Sequence, residues 1–231
     1  MAIDPEFIKK LEEYLRFDKI EIPEESGRRE IFVEDIPYDI FRLREQRLLS
    51  LVIDKSLSMH YNGHESAVKD TLKEVKKVIE KYIKAGFEYD KIIQISLNFF
   101  GSTLDIRPFG NIEQLDTTFE ANEIKTRLYD AVVESCKNII DQYDALETYF
   151  EVWGNMLIIT DGEDNGSELC SNVKEVQTYL NELLARHIRY NVVALDGANT
   201  KLLEEVFKTT PIVVDSNQLI RILHFVSVRS L

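Results

Sequence analysis

The chain has 231 residues, 44% of them apolar and 30% charged, and carries a net charge of −13. That length suits one domain of moderate size with an added edge segment. The acidic balance argues against nucleic acid and anionic lipid as main partners, because phosphates repel such a surface, and no apolar run approaches the roughly 20 residues that span a bilayer.

Residues 1–7 read either as the translation of two adjoining cloning sites or as a helix start, with Asp4 as N-cap and Pro5 in the first turn. Residues 8–16 carry a helical stripe of Ile8, Leu11, Tyr14 and Leu15. A turn signal follows at Glu25-Ser26-Gly27, then an alternating stretch broken by Pro37. Residues 1–46 therefore form an N-terminal extension, and its Ile, Phe and Tyr content predicts a packed arm rather than a flexible linker. The first ten residues lack the apolar core of a signal peptide, so the expected location is cytoplasmic.

From Arg47 a regular alternation begins. Residues 47–54 read as a buried strand. Residues 65–86 read as an amphipathic helix with Val68, Leu72, Val75, Ile79 and Ile83 on one stripe and Gly86 as its stop. Strands are predicted over 91–101 and 103–110, and the short link through Gly101-Ser102 suits an antiparallel hairpin. A long helix follows over 126–147, then a strand over 155–162, a helix over 172–188, a strand over 189–197, a helix over 200–210, a strand over 211–216 and a closing helix over 217–226. Strands that alternate with helices imply crossover connections. The predicted fold is a doubly wound, mostly parallel central sheet with one antiparallel edge strand and helices on both faces. Cys136 falls inside the long helix and reads as a core thiol, whereas Cys170 lies in a polar loop and reads as exposed.

In such sheets ligands bind at the carboxyl ends of the strands, near the point where strand order reverses. Asp54 closes the first strand and Asp161 closes the strand over 155–162, while Thr126 opens the long helix. Ser56 and Ser58 follow Asp54 at alternate positions. All five side chains offer hard oxygen, which favours Mg²⁺, Mn²⁺ or Ca²⁺ over zinc or copper. Two carboxylates balance a divalent charge, and three neutral hydroxyls leave the ion short of negative donors. It would accept a carboxylate from outside. Taken singly, each element has a plain structural explanation: Ser56, Ser58 and Thr126 as helix or turn caps, Asp161-Gly162 as a strand-ending turn.

Asp54-x-Ser56-x-Ser58, then Thr126, then Asp161 in that order resembles the metal-ion-dependent adhesion site of the von Willebrand factor A-domain family. The resemblance covers about residues 47–228. It implies a Rossmann-like domain over 47–231, Mg²⁺ at the sheet's upper rim held by Asp54, Ser56, Ser58, Thr126 and Asp161, and a partner protein whose Glu or Asp completes the coordination. This chain has Leu57, and Ile124-Lys125 before the threonine, where family members often carry glycine and Gly-Gly. Leu57 would add an apolar contact, and Lys55 and Lys125 would either steer an acidic partner or crowd the site and lower its metal affinity.

Two rival functions remain open. A metal-assisted phosphatase or hydrolase needs a base, and His60 is the nearest candidate. No Gly-x-x-x-x-Gly-Lys-Ser/Thr loop and no Gly-x-Ser-x-Gly elbow occurs. A structural scaffold with a vestigial metal site is the other. His60, Tyr61 and Asn62, near the expected binding face, read as solvent-facing loop residues or as partner contacts, and Asp164 and Asn165 as rim residues.

Overall fold

The computed structural model describes residues 45–84, 91–170, 172–215 and 219. The extension before Glu45, the Gly86 stop and the closing helix over 217–226 fall outside the described residues, apart from Leu219.

The strands are β1 (Glu45–Asp54), β2 (Lys91–Phe100), β3 (Leu104–Asp105), β4 (Glu151–Thr160), β5 (Arg189–Leu195) and β6 (Ile212–Val214). They form one six-stranded sheet in the order β3-β2-β1-β4-β5-β6. Every pairing is parallel except β2 with the edge strand β3. This is the strand order of a Rossmann-like doubly wound sheet, with its reversal between β1 and β4. β1 begins at Glu45, so the strand takes in Glu45 and Gln46, which the alternation alone leaves in the extension. β3 is much shorter than the expected second strand: the Arg107 N–H donates to Asn98 Oδ1 and its carbonyl accepts the Ser96 hydroxyl, and backbone pairing with β2 resumes only at Gly110.

The helices are α1 (Leu57–Tyr61), α2 (His64–Lys84), α3 (Leu128–Leu146), α4 (Val173–Ala185) and α5 (Thr200–Phe207). Side chains alternate across each strand, and the sheet buries both faces. Leu49, Leu51 and Ile53 meet Val68, Leu72, Val75 and Ile79 of α2 on one face. Leu48 and Val52 meet α3, α4 and α5 on the other, where Cys136, Ile139, Leu180 and Phe207 are buried. Each such Leu, Ile or Phe contributes about 1.5–3 kcal/mol by leaving water. Cys170 is also buried, against expectation. Among the described residues no helix is long and apolar enough to cross a membrane.

Candidate functional site at the carboxyl rim of β1 and β4

β1 and β4 lie side by side and end together, which places Asp54 and Asp161 at one rim. Asp54 is fully buried. One carboxylate oxygen accepts the Ser56 backbone N–H at 2.8 Å, and the other accepts the Thr160 hydroxyl at 2.6 Å. Burial pushes its carboxyl up to about 6, hydrogen bonds from Ser56 and Thr160 pull the other way, and the charge of Asp161 adds to the rise. Desolvation is thus the main force against an ionised Asp54.

The two serines are linked to the second carboxylate. The Ser56 and Ser58 hydroxyls lie 2.9 Å apart, and the Ser58 hydroxyl donates to Asp161 Oδ1 at 2.8 Å. Ser56 is the N-cap residue of α1, yet its side chain makes no capping bond. The cap explanation for its hydroxyl therefore fails. Asn62, read as a solvent-facing residue or a partner contact, donates its amide to Asp161 Oδ2 at 2.9 Å. α1 thus bridges the two carboxylate ends.

Thr126 precedes α3 by two residues. It is not the cap of that helix, whose N-cap is Arg127 without a side-chain bond. Its backbone is gripped from both sides by Asn165: Thr126 N–H donates to Asn165 Oδ1 at 2.7 Å, and Asn165 N–H donates to the Thr126 carbonyl at 3.0 Å. A Cβ placed on Gly162 would lie 3.6 Å from both Asp54 Oδ2 and Thr126 Oγ1. Those two oxygens therefore border the same space. The structure brings Asp54, Ser56, Ser58, Thr126 and Asp161 to one place, through bonds or through this shared boundary.

The loop after β4 is held by α3. Asp130 accepts the backbone N–H groups of Glu168, Leu169 and Cys170 and pairs with Arg127 at 2.7 Å. Burial opposes its ionisation, but these donors outweigh it and hold the carboxyl below its usual range. The same capture draws Cys170 into the core. Asp164 accepts Tyr129 N–H at 3.1 Å and so caps α3. Gly166 allows the loops to meet, since a Cβ there would lie 2.9 Å from Lys125 Cβ.

One charge expectation changes. Lys55 is not a free steering charge: it pairs with Glu123 at 2.7 Å and reaches the Thr103 hydroxyl at 3.2 Å. Lys125 stays exposed, with Glu168 at 3.6 Å. His60 faces solvent, as expected, and pairs with Glu65 at 2.6 Å. Thr160 and Asn62 were not assigned to this cluster from the sequence, and Asn165, read only as a rim residue, holds the Thr126 backbone. Their only signal was position beside the carboxylates and the threonine.

No family model and no curated protein sequence matches the chain. Solved structures share its fold. The pilus adhesin SpaC of Lactobacillus rhamnosus GG aligns over 82% of this chain and 31% of its own, with a TM-score of 0.60 and 11% identity. A von Willebrand factor type A protein from Catenulispora acidiphila aligns over 80% of this chain and 43% of its own, with a TM-score of 0.58 and 11% identity. The manganese-loaded TRAP protein of Plasmodium vivax aligns over 77% of this chain and 72% of its own, with a TM-score of 0.54 and 17% identity. The chain has the von Willebrand factor A fold. It spans less than a third of the SpaC chain and less than half of the Catenulispora chain.

Proposed function

We propose that this chain is a divalent-metal-dependent protein-binding module that recognises an acidic side chain of a partner protein. The observation that carries the proposal is the convergence of two carboxylates and three hydroxyls at the rim, with the Ser56 and Thr126 side chains not spent on helix caps. Among the described residues no three His, Cys, Asp or Glu side chains cluster as a metal site. A hard-oxygen set of two carboxylates and hydroxyls is a different kind of centre, one suited to Mg²⁺ or Mn²⁺ with exchangeable positions.

Asp54, Ser56, Ser58, Thr126 and Asp161 would hold the ion. When bound, it supplies a Lewis-acidic position to which an outside carboxylate can add. Asp54 and Asp161 supply the balancing charge. Thr160 and Asn62 orient those carboxylates by donating to the oxygens they touch. Asn165 fixes the backbone that carries the Thr126 hydroxyl. Lys125 favours the approach of an acid from solvent. The manganese-loaded state of the TRAP structure and the adhesin role of SpaC support this reading by analogy of fold.

The test is a thermal melt of wild type and Asp54→Ala with chelator, Mg²⁺, Mn²⁺ and Ca²⁺ in turn. A ligand that binds only the native state must stabilise it, by about 2.7 kcal/mol at a hundredfold excess over Kd. A metal-dependent rise in wild type alone is the expected result. No rise in either protein at millimolar metal would leave the site as a structural knot of hydrogen bonds.

A further inference from the structure

Eight large apolar side chains are exposed among the described residues, and three of them, Tyr61, Ile124 and Leu169, belong to the loops that carry the candidate metal donors. Tyr61 is 78% exposed, Ile124 82% and Leu169 66%. Leu57 is half-buried and lies one helical turn before Tyr61, so the two share a face of α1. The Leu57 N–H donates to the Glu123 carbonyl at 2.6 Å, which seats Ile124 beside that face.

These side chains stand on fixed backbone. Asn62, next to Tyr61, is tied to Asp161. Ser56 and Glu123 form a parallel bridge, with Glu123 N–H donating to the Lys55 carbonyl at 3.2 Å. The Leu169 N–H is held by Asp130 at 3.0 Å. Rigid apolar groups presented to water around a polar centre are the arrangement of a protein-binding hot spot. Little ordering entropy is left to lose when they are covered.

Resting on the metal-dependent reading above, we infer that Leu57, Tyr61 and Ile124 form an apolar collar that selects partners in which the recognised Glu or Asp is flanked by a bulky aliphatic or aromatic residue. The collar is continuous with the donor set: Leu57 lies between Ser56 and Ser58, and Ile124 lies two residues before Thr126. A polar acidic segment would meet the ion but leave the collar wet. The net charge of −13 disfavours a second copy of this chain as the occupant.

The experiment uses the full chain and a displayed peptide library with a fixed central Glu and random flanks, selected in Mg²⁺ and in chelator. The expected result is Mg²⁺-dependent enrichment of peptides with an aromatic or branched aliphatic residue within two positions of the Glu. A Tyr61→Ser/Ile124→Ser variant should bind the best selected peptide on the order of tenfold or more weakly while keeping the Mg²⁺-dependent rise in Tm. Ile124→Ser alone serves if the double variant loses that rise, and should weaken the same peptide severalfold. Enrichment in Mg²⁺ with no apolar preference, or unchanged binding by the variants, would overturn the collar and spare the metal reading. Selection that ignores Mg²⁺, together with a flat wild-type Tm, would overturn both. Mg²⁺-dependent self-association of the free chain would overturn the inference in favour of a second copy.

Discussion

Replacing Asp54 by Asn should stabilise the metal-free protein at neutral pH while abolishing its response to metal. The folded carboxyl is raised from 3.8 to about 6, and each unit is worth about 1.4 kcal/mol, so ionised Asp54 opposes folding by about 3 kcal/mol. The sign is fixed by linkage. Below about pH 4 the group is protonated in both states and folding loses nothing. As pH rises through 6 the unfolded chain is already ionised, the folded chain must follow, and that stability is lost. Asn removes the charge and keeps one bond, since its oxygen can still accept the Ser56 N–H. Its amide would donate to Thr160 Oγ1, whose own proton then has only the Gly162 carbonyl at 3.5 Å. That weakening costs about 1 kcal/mol. The expected gain is therefore about 2 kcal/mol at pH 7.5, vanishing or reversing near pH 4.5. The assay is urea unfolding of both proteins in chelator at the two pH values. Taking the difference between the two proteins cancels the titrating groups that do not interact with Asp54. A variant less stable than wild type at pH 7.5, or a difference independent of pH, would refute the reasoning.

Other outcomes follow from the same geometry. Asn165→Ala removes the acceptor of Thr126 N–H, should lower stability by about 1–3 kcal/mol, and should weaken the Mg²⁺-dependent Tm rise, read by melts with increasing metal. Gly166→Ala forces a Cβ against Lys125 Cβ at 2.9 Å and should cost about 1–3 kcal/mol, with partial recovery in Gly166→Ala/Lys125→Gly in the same denaturant titration. Cys136 and Cys170 are buried and their thiols are pushed up chiefly by that burial, so a thiol reagent at pH 8 should label neither until urea unfolds the chain. Labelling of native protein at the rate of a free thiol would contradict the packing.

The sequence made the sheet legible because strands buried on both faces leave unbroken apolar runs, as in Leu51–Ile53 and Leu157–Ile159. The five candidate residues stood out because Asp54 and Asp161 follow apolar strand runs, the serines follow Asp54 at alternate positions, and Thr126 precedes a long helical pattern. α1 was hidden, since five residues are too few to establish a helical period. The bonding roles of Asn62, Thr160 and Asn165 were hidden because they depend on partners far away in sequence, up to 106 residues for Thr160. Cys170 was misplaced because Asp130 resembles an ordinary surface acid on a helix. Only the fold shows that it gathers three backbone N–H groups and pulls a polar loop inward. Lys55 was misplaced for a similar reason: its ion pair with Glu123 spans segments that meet only across the rim.

The five oxygen-bearing side chains of the proposed site hang from separate supports: Asp54 and the serines from β1 and α1, Asp161 from β4, and Thr126 from the approach to α3. Asp130 and Arg127 yoke that approach to the loop after β4. At its far end α3 is coupled to α4, through Asp144 and the Arg186 that caps that helix. A small tilt of α3 would therefore alter the spacing of oxygens at the opposite pole. An assembly that grips α3 from outside holds a tuning peg for a distant string.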